Sequence, residues 1–344
     1  MSKLLSPAKV GGLQLSNRVV MSPMCTYEVK KEDGIPTPFH FAHYGMRAIS
    51  KVGLIITEST AVDPKGRISK NDLGLWDDDQ VPEFKRLIDS LHYLGTKVGI
   101  QLNHAGRKAA DEDSPVAPSA IAFDENSKTP EELSIDQIKK IVRKFGEAAK
   151  RASDAGVDMI EIHGAHGYLL NQFLSPASNH RSDEYGGSLE NRFRIVREVA
   201  EIVKDNFSGP IWVRLSLTDY ADDGNENSID DWRQVGKWLE TADVELLDVS
   251  TGGLLPVGPN FPVHDGYQTR FATELKRSVD IDVSTVGLLD NPGLAEYILQ
   301  NNQADLIMQG RALLRNTNWL NDAAKELHDK KFTAFDASYG RGQK

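Results

Sequence analysis

The chain has a single cysteine, Cys25, among 344 residues. One thiol cannot close an internal disulfide, so an oxidised, stapled secreted fold is excluded. Nor can it hold an iron–sulfur cluster or a cysteine-rich zinc site. Positive charge is in deficit too: 40 Lys and Arg stand against 50 Asp and Glu, a formal net charge of −10. A general nucleic-acid or membrane-surface binder carries a basic footprint, so neither partner is expected. No run of about 18 apolar residues offers a bilayer span. The start, Met1-Ser-Lys-Leu-Leu-Ser-Pro7, is too short and broken to read as a signal peptide. Gly-x-Gly-x-x-Gly and Gly-x₄-Gly-Lys-Ser/Thr are both missing, and with them the sequence marks of Rossmann and P-loop phosphate binding. No low-complexity tract or Gly/Ser linker divides the chain. At 40% hydrophobic residues, disorder is not expected. These absences leave a soluble, cytoplasmic, globular protein, expected to form one domain over residues 1–344.

What is present is a repeating alternation. Short apolar runs predict strands at Arg18–Met21, Gly53–Thr57, Lys97–Leu102, Val157–His163, Pro210–Leu215, Val244–Val249, Ile281–Thr285 and Ala304–Gln309. Several are continuously apolar, as in Leu54-Ile-Ile56 and Ile211-Trp-Val213, which suits parallel strands covered on both faces. Helical patterns follow each: His40–Ser50, Pro82–Leu94, Ser134–Ala155, Ser188–Asn206, Ile229–Thr241, Gln268–Val279, Pro292–Gln300 and Trp319–His328. Pro82 opens one and Gly95 closes it, the usual asymmetry of helix ends. Ser134 with Gln137 forms a capping-box pattern. Eight strand–helix units predict a TIM (β/α)₈ barrel, which takes about 250 residues. The surplus is assigned to an N-terminal β-hairpin (Val10–Val20, turning at Gly11-Gly12 or Ser16-Asn17), the segment Ala109–Leu133 and a C-terminal tail. A doubly wound sheet is the alternative.

In such a barrel the chemistry lies at the C-terminal strand ends, and the polar residues here collect there. The ends read Ser22-Pro-Met-Cys-Thr-Tyr27, Glu58-Ser-Thr60, Gln101 to Lys108, His163-Gly-Ala-His166-Gly-Tyr168, Arg214, Ser250-Thr-Gly-Gly253, Gly287 and Gly310-Arg311. Gly287 and Gly310 allow close approach of backbone to an anion, and Arg311 adds a phosphate-matched guanidinium. His163 and His166 lack the glutamate and third ligand of a zinc site, since residue 164 is Gly. Two neutral imidazoles can instead donate to one oxygen and stabilise charge developing on it. Tyr168 is a candidate general acid beside them. Arg214 points inward from an apolar strand, where a cation needs an anionic partner: a cofactor ring or a barrel carboxylate. At about 4 Å and an effective dielectric near 20 such a pair is worth roughly 4 kcal/mol. That is about three pKa units, enough to hold a ring anionic. Gln101 offers donor and acceptor to the edge of a heterocycle. Cys25 alone reads as a small buried hydrophobe.

Together these stretches resemble the old yellow enzyme family, in its thermophilic-like bacterial ene-reductase branch. The resemblance is carried by Ser22-Pro-Met-Cys25, Thr37-Pro-Phe-His-Phe-Ala-His-Tyr44, Gly99-Ile-Gln-Leu-Asn-His-Ala-Gly-Arg-Lys108, Glu161-Ile-His-Gly-Ala-His-Gly-Tyr168 and Asn179-His-Arg-Ser-Asp-Glu-Tyr-Gly-Gly-Ser188. It implies an FMN-bound barrel, reduced by NADPH, that passes hydride to the C=C bond of small enones or nitro compounds. It places Ser22, Pro23, Met24, Cys25, Ser59, Gln101, Arg214, Gly287, Gly310 and Arg311 against FMN, with Cys25 tuning its redox behaviour. His163 and His166 would hold the substrate oxygen, Tyr168 would protonate the α carbon, and Tyr27 would close over the substrate. A homodimer or homotetramer is implied as well.

Two positions depart from the branch, and a third marks it off from the other branch. Ser59 stands where Ala is frequent, so a hydroxyl is expected to alter flavin contacts. His166 is the second His of this branch where the other branch has Asn. The tail Tyr339-Gly-Arg-Gly-Gln-Lys344 keeps Arg341, which the resemblance sends into a neighbouring active site, but lacks the terminal aromatic. Among competing functions, an iron–sulfur dienoyl thioester reductase fails on the single cysteine. A flavin-free isomerase or aldolase barrel would rely on Lys108 as its strand-end lysine. A flavin-binding protein on a decayed barrel conflicts with an intact His163, His166 and Tyr168.

Overall fold

A computed structural model describes residues 2–261, 263–333 and 337–343. The parallel strands are β1 (Val19–Met21), β2 (Leu54–Ala61), β3 (Lys97–Asn103), β4 (Met159–Gly164), β5 (Ile211–Ser216), β6 (Leu246–Ser250), β7 (Asp282–Thr285) and β8 (Leu306–Gln309). Each pairs with the next, and β8 returns to β1, so the sheet closes. Closure rules out the doubly wound alternative. Eight longer helices cover the outside: α1 (Pro38–Ile49), α2 (Val81–Tyr93), α3 (Ile135–Ala155), α4 (Leu189–Asn206), α5 (Ile229–Thr241), α6 (Thr269–Lys276), α7 (Pro292–Gln300) and α8 (Trp319–Glu326). Ser134 caps α3 with Gln137 as the sequence pattern predicts. Among the described residues no helix is long and apolar enough to cross a membrane.

Strand alternation sorts the interior into levels. Along β4, Ile160 and Ile162 face the helical shell, while Met159 joins the barrel floor. Glu161 and His163 share the inward parity of Met159. β5 repeats this, with Trp212 in the floor and Arg214 and Ser216 above it on the same parity. The apolar floor also takes Val20, Ile56, Leu306 and Met308, each at most 1% exposed. Burying a side chain of Leu or Met size contributes about 1.5–3 kcal/mol, so this end is a packed plug and no entrance.

The N-terminal hairpin seals that plug, and its position corrects the expectation. Its strands are Ala8–Val10 and Leu13–Leu15, turning at Gly11-Gly12, whereas Val19–Met21 belongs to the barrel. Gly11 has φ +56 and its carbonyl accepts from Trp212 Nε1 at 2.8 Å. A Cβ there would fall 2.6 Å from the Trp212 ring, so glycine is required on both counts. β2 runs on past the expected Thr57 to Ala61, with a register shift between Thr57 and Ser59. The polar run Thr57-Glu-Ser-Thr60 hid this continuation, because all of it is buried. α6 stops at Lys276, short of the expected Val279, where Ser278 N bonds Leu275 O and tightens the last turn. The sequence pattern also missed two short helices, Leu169–Leu174 and Arg311–Arg315. The Ala109–Leu133 insertion holds only a two-residue strand pair, Val116–Ala117 with Glu131–Glu132.

Candidate active site

The strand-end residues meet at the open mouth of the barrel. His163 leaves β4, the chain turns through His166 (φ +57) and Gly167 (φ +72), and Tyr168 then precedes the helix Leu169–Leu174. A Cβ at Gly167 would lie 2.2 Å from the Gly253 carbonyl oxygen, which keeps that turn tight against the β6 loop. The His163 ring lies 5.1 Å from the His166 ring and 5.0 Å from the Tyr168 ring, edge-on to both. Among the described residues, no set of three His, Cys, Asp or Glu is arranged as a metal site.

Hydrogen bonding decides what these rings offer. Burial, reinforced by Arg214 and Lys108, drives both imidazoles well below the usual histidine range, so both are neutral at physiological pH. His163 Nδ1 accepts from Ala165 N at 3.3 Å, so its proton sits on Nε2, which no described group engages. His166 differs: its Nε2 lies 2.7 Å from Ser250 Oγ. It can donate to a ligand only from Nδ1, with Ser250 donating to Nε2. Burial raises the Tyr168 phenol far above its ordinary value, so the hydroxyl keeps its proton.

Around this cluster the first strand's loop is clamped by a pair that sequence reasoning passed over. Glu58 accepts from Thr26 N at 2.9 Å and Thr26 Oγ1 at 3.0 Å, and meets His40 Nε2 at 3.1 Å. Thr37 N donates to His40 Nδ1, so Nε2 carries the proton toward Glu58. The clamp positions Cys25 and Tyr27, the latter at φ +56. Burial, then Asp72 and Glu58, push the half-buried Cys25 thiol far up, so it stays protonated despite hydrogen bonds from Ser59 N and Tyr27. Asp72, buried with its carboxyl pushed up to about 7 by desolvation, also bears on Tyr27 and Tyr168.

Lys108 is the other residue underread from sequence. Its Nζ donates to the carbonyls of His166 at 3.0 Å and Gly253 at 2.9 Å, and lies 5.1 Å from the Tyr168 ring centroid. Burial beside Arg107 lowers it to about 8. An amine engaged by two carbonyls fastens the His166 turn and is poorly placed as a Schiff-base nucleophile, which removes the main support for an aldolase-type barrel.

The remaining site residues frame a cavity of about 140 Å³ lined by Arg214, Gly287, Gly310 and Arg311. Arg214 Nε is 3.1 Å from Asp248, so the barrel-carboxylate partner exists. Arg214 lines that cavity, and its terminal guanidinium nitrogens have no hydrogen bond to any described group. Gly287 has φ +117, and a Cβ would crowd Gln268 and Tyr267 at 3.1 Å. Gln101 Nε2 donates one hydrogen to Glu161 at 2.7 Å, which leaves its second N–H and Oε1 for the edge of a heterocycle. Ser59 Oγ accepts from Asn103 Nδ2 at 2.9 Å, which ties the unusual hydroxyl to the protein. Met24 Sδ would lie 3.4 Å from a Cβ at Gly310, linking the β1 loop to the cleft. The free guanidinium nitrogens and the glycine-lined wall fit an anionic, planar cofactor such as FMN.

Residues 3–330 match the NADH:flavin oxidoreductase / NADH oxidase family. The chain belongs to this family. It is therefore an oxidoreductase with FMN as its cofactor and a nicotinamide nucleotide as its reductant. It is 54% identical to an NADPH dehydrogenase of Listeria monocytogenes over 327 residues, covering 95% of this chain and 96% of the relative. An NADPH dehydrogenase of Bacillus subtilis is 49% identical over 326 residues, with 95% of each covered. Morphinone reductase superposes with a TM-score of 0.82 at 29% identity, over 94% of this chain and 90% of that one. The same enzyme in complex with tetrahydroNAD gives 0.80 at 29%, over 95% and 91%. Family membership and the barrel agree with the resemblance carried by the motifs.

Proposed function

We propose that this family member is an NADPH-dependent ene reductase acting on small α,β-unsaturated carbonyl and nitro compounds, a single domain over 1–344. The observation that carries the reading is the triad of neutral His163 with a free Nε2–H, His166, and protonated Tyr168 at the mouth beside the Arg214 cleft. Bound FMN supplies the transfer of hydride from NADPH to the alkene β carbon. The backbone of Ser22, Pro23, Met24 and Cys25, with Ser59, Gln101, Arg214, Gly287, Gly310 and Arg311, holds it. His163 Nε2 and His166 Nδ1 hold the substrate oxygen and draw electron density toward it. Tyr168 then delivers its proton to the α carbon. Tyr27, 42% exposed, closes over the substrate. The assembly is a homodimer or homotetramer in the cytoplasm, and the exposed Arg341 is the residue that reaches the neighbouring site.

Purified protein is expected to be yellow and to bleach under NADPH, then regain colour on adding cyclohexenone or a nitroalkene. A colourless preparation that FMN does not reconstitute would sink the proposal. Cys25→Ala is expected to shift the flavin midpoint potential while lowering stability by only about 1 kcal/mol, since one sulfur atom is lost from a half-buried site. Redox titration and thermal melting measure the two. An unchanged potential would remove Cys25 from the flavin's surroundings.

A further inference from the structure

Below the mouth lies a charged level whose two carboxylates have no part in the reaction above. Glu161 on β4 and Asp248 on β6 are both fully buried, with Arg214 on β5 in register with Asp248. Asp248 Oδ1 accepts from Ser284 Oγ at 2.6 Å, and Glu161 Oε1 accepts from Gln101 Nε2 at 2.7 Å. Glu161 Oε2 and Asp248 Oδ2 receive no hydrogen bond, although the two carboxyl groups lie within hydrogen-bond reach of each other. Asp248 Oδ2 has only the 3.1 Å ionic contact with Arg214 Nε.

Two carboxylates around one guanidinium would leave a net negative charge in a medium that solvates charge poorly, and like charges in contact cannot both ionise cheaply. One added proton neutralises the level and supplies the hydrogen bond that the two carboxyl groups otherwise lack between them. We propose that Glu161 and Asp248 share a single proton, and that Glu161 is a positioning residue. By staying neutral it leaves the terminal nitrogens of Arg214 to the ring edge of FMN. The flavin part of this rests on the function proposed above; the shared proton does not.

Among the described residues, the charged groups that act most strongly on Glu161 are Asp248 and Arg214. β3 presents the neutral Gln101 amide, and Met159 and Trp212 lie below. Burial first, then the Asp248 charge, pushes the Glu161 carboxyl up to about 8, against the pull of Arg214 and Gln101. The folded chain thus keeps a proton that the unfolded chain releases near 4.5. This group's contribution to stability is full below that value and lost as pH rises to about 8.

Two measurements decide it. In apoprotein, ¹³C NMR should find the Glu161 carboxyl protonated at neutral pH, and D248N should move its titration down. The melting temperature of E161Q should gain on wild type as pH rises from about 5 to about 8. A Glu161 carboxyl ionised by about pH 5, or a melting difference independent of pH, overturns the shared proton. In holoprotein, the midpoint potentials of wild type and E161Q should coincide near pH 6, with wild type falling below E161Q above about pH 8. Potentials displaced equally at every pH would overturn the positioning role. Failure of FMN to bind would overturn the functional reading and leave the apoprotein result to decide the proton.

Discussion

Tyr168→Phe is expected to lower alkene reduction by about 10²–10⁴-fold, the range for one general acid, while NADPH still bleaches the flavin. In barrier terms that is about 3–5.5 kcal/mol, far more than a ring contact supplies. Phe keeps the edge contact with His163 and the place over which Lys108 lies, so the loss is of the proton and little else. Stopped-flow measurement of the two half-reactions separates the cases. Equal loss in both would contradict the assigned role. The pH profile adds a sign: the phenol is raised well above 10, so its donor form persists through the physiological range. No alkaline fall in alkene reduction assignable to Tyr168 should therefore appear below about pH 10.

His163→Ala is expected to cost about 10²–10³-fold in kcat for enone reduction, the loss that follows removal of one preorganised donor to a developing oxyanion, or about 2.7–4 kcal/mol. Each imidazole keeps one N–H for a ligand: His163 Nδ1 accepts from Ala165 N and leaves Nε2–H, while His166 Nε2 accepts from Ser250 and leaves Nδ1–H. FMN content should be unchanged, since the ring lies among His166, Tyr168 and the mouth. Activity that survives His163→Ala but fails in His166→Ala would contradict the part given to His163.

Much of this was legible from local pattern. Met159, Glu161 and His163 alternate with Ile160 and Ile162, and that period alone predicts a strand covered outside and chemically active inside. The capping of α3 at Ser134 was legible for the same reason, because Gln137 is three residues away. The end of β2 was not. Thr57-Glu-Ser-Thr60 reads as a turn by composition, and only burial inside a closed barrel keeps it extended. Glu58 and His40 escaped notice because an 18-residue separation and a helix lie between them.

Arg214 shows the division most plainly. Its inward parity on an apolar strand demanded an anion, and the strand alone could not say which. The folded barrel supplies Asp248 at Nε, which meets the carboxylate reading, and the other guanidinium nitrogens remain available to a cofactor ring. His166 is similar: the motif names the residue, but the Ser250 hydroxyl that constrains its tautomer is 84 positions away.

Composition and period were thus enough for the barrel and the roster of strand-end groups, and the quoted motifs carried the resemblance to the family, because each depends on neighbours within a turn or a strand. Protonation states, free ring nitrogens, the Lys108 fastening and the Glu161–Asp248 pair required the closed sheet. They depend on desolvation and on distances between strands remote in sequence, and neither quantity exists until the barrel has closed.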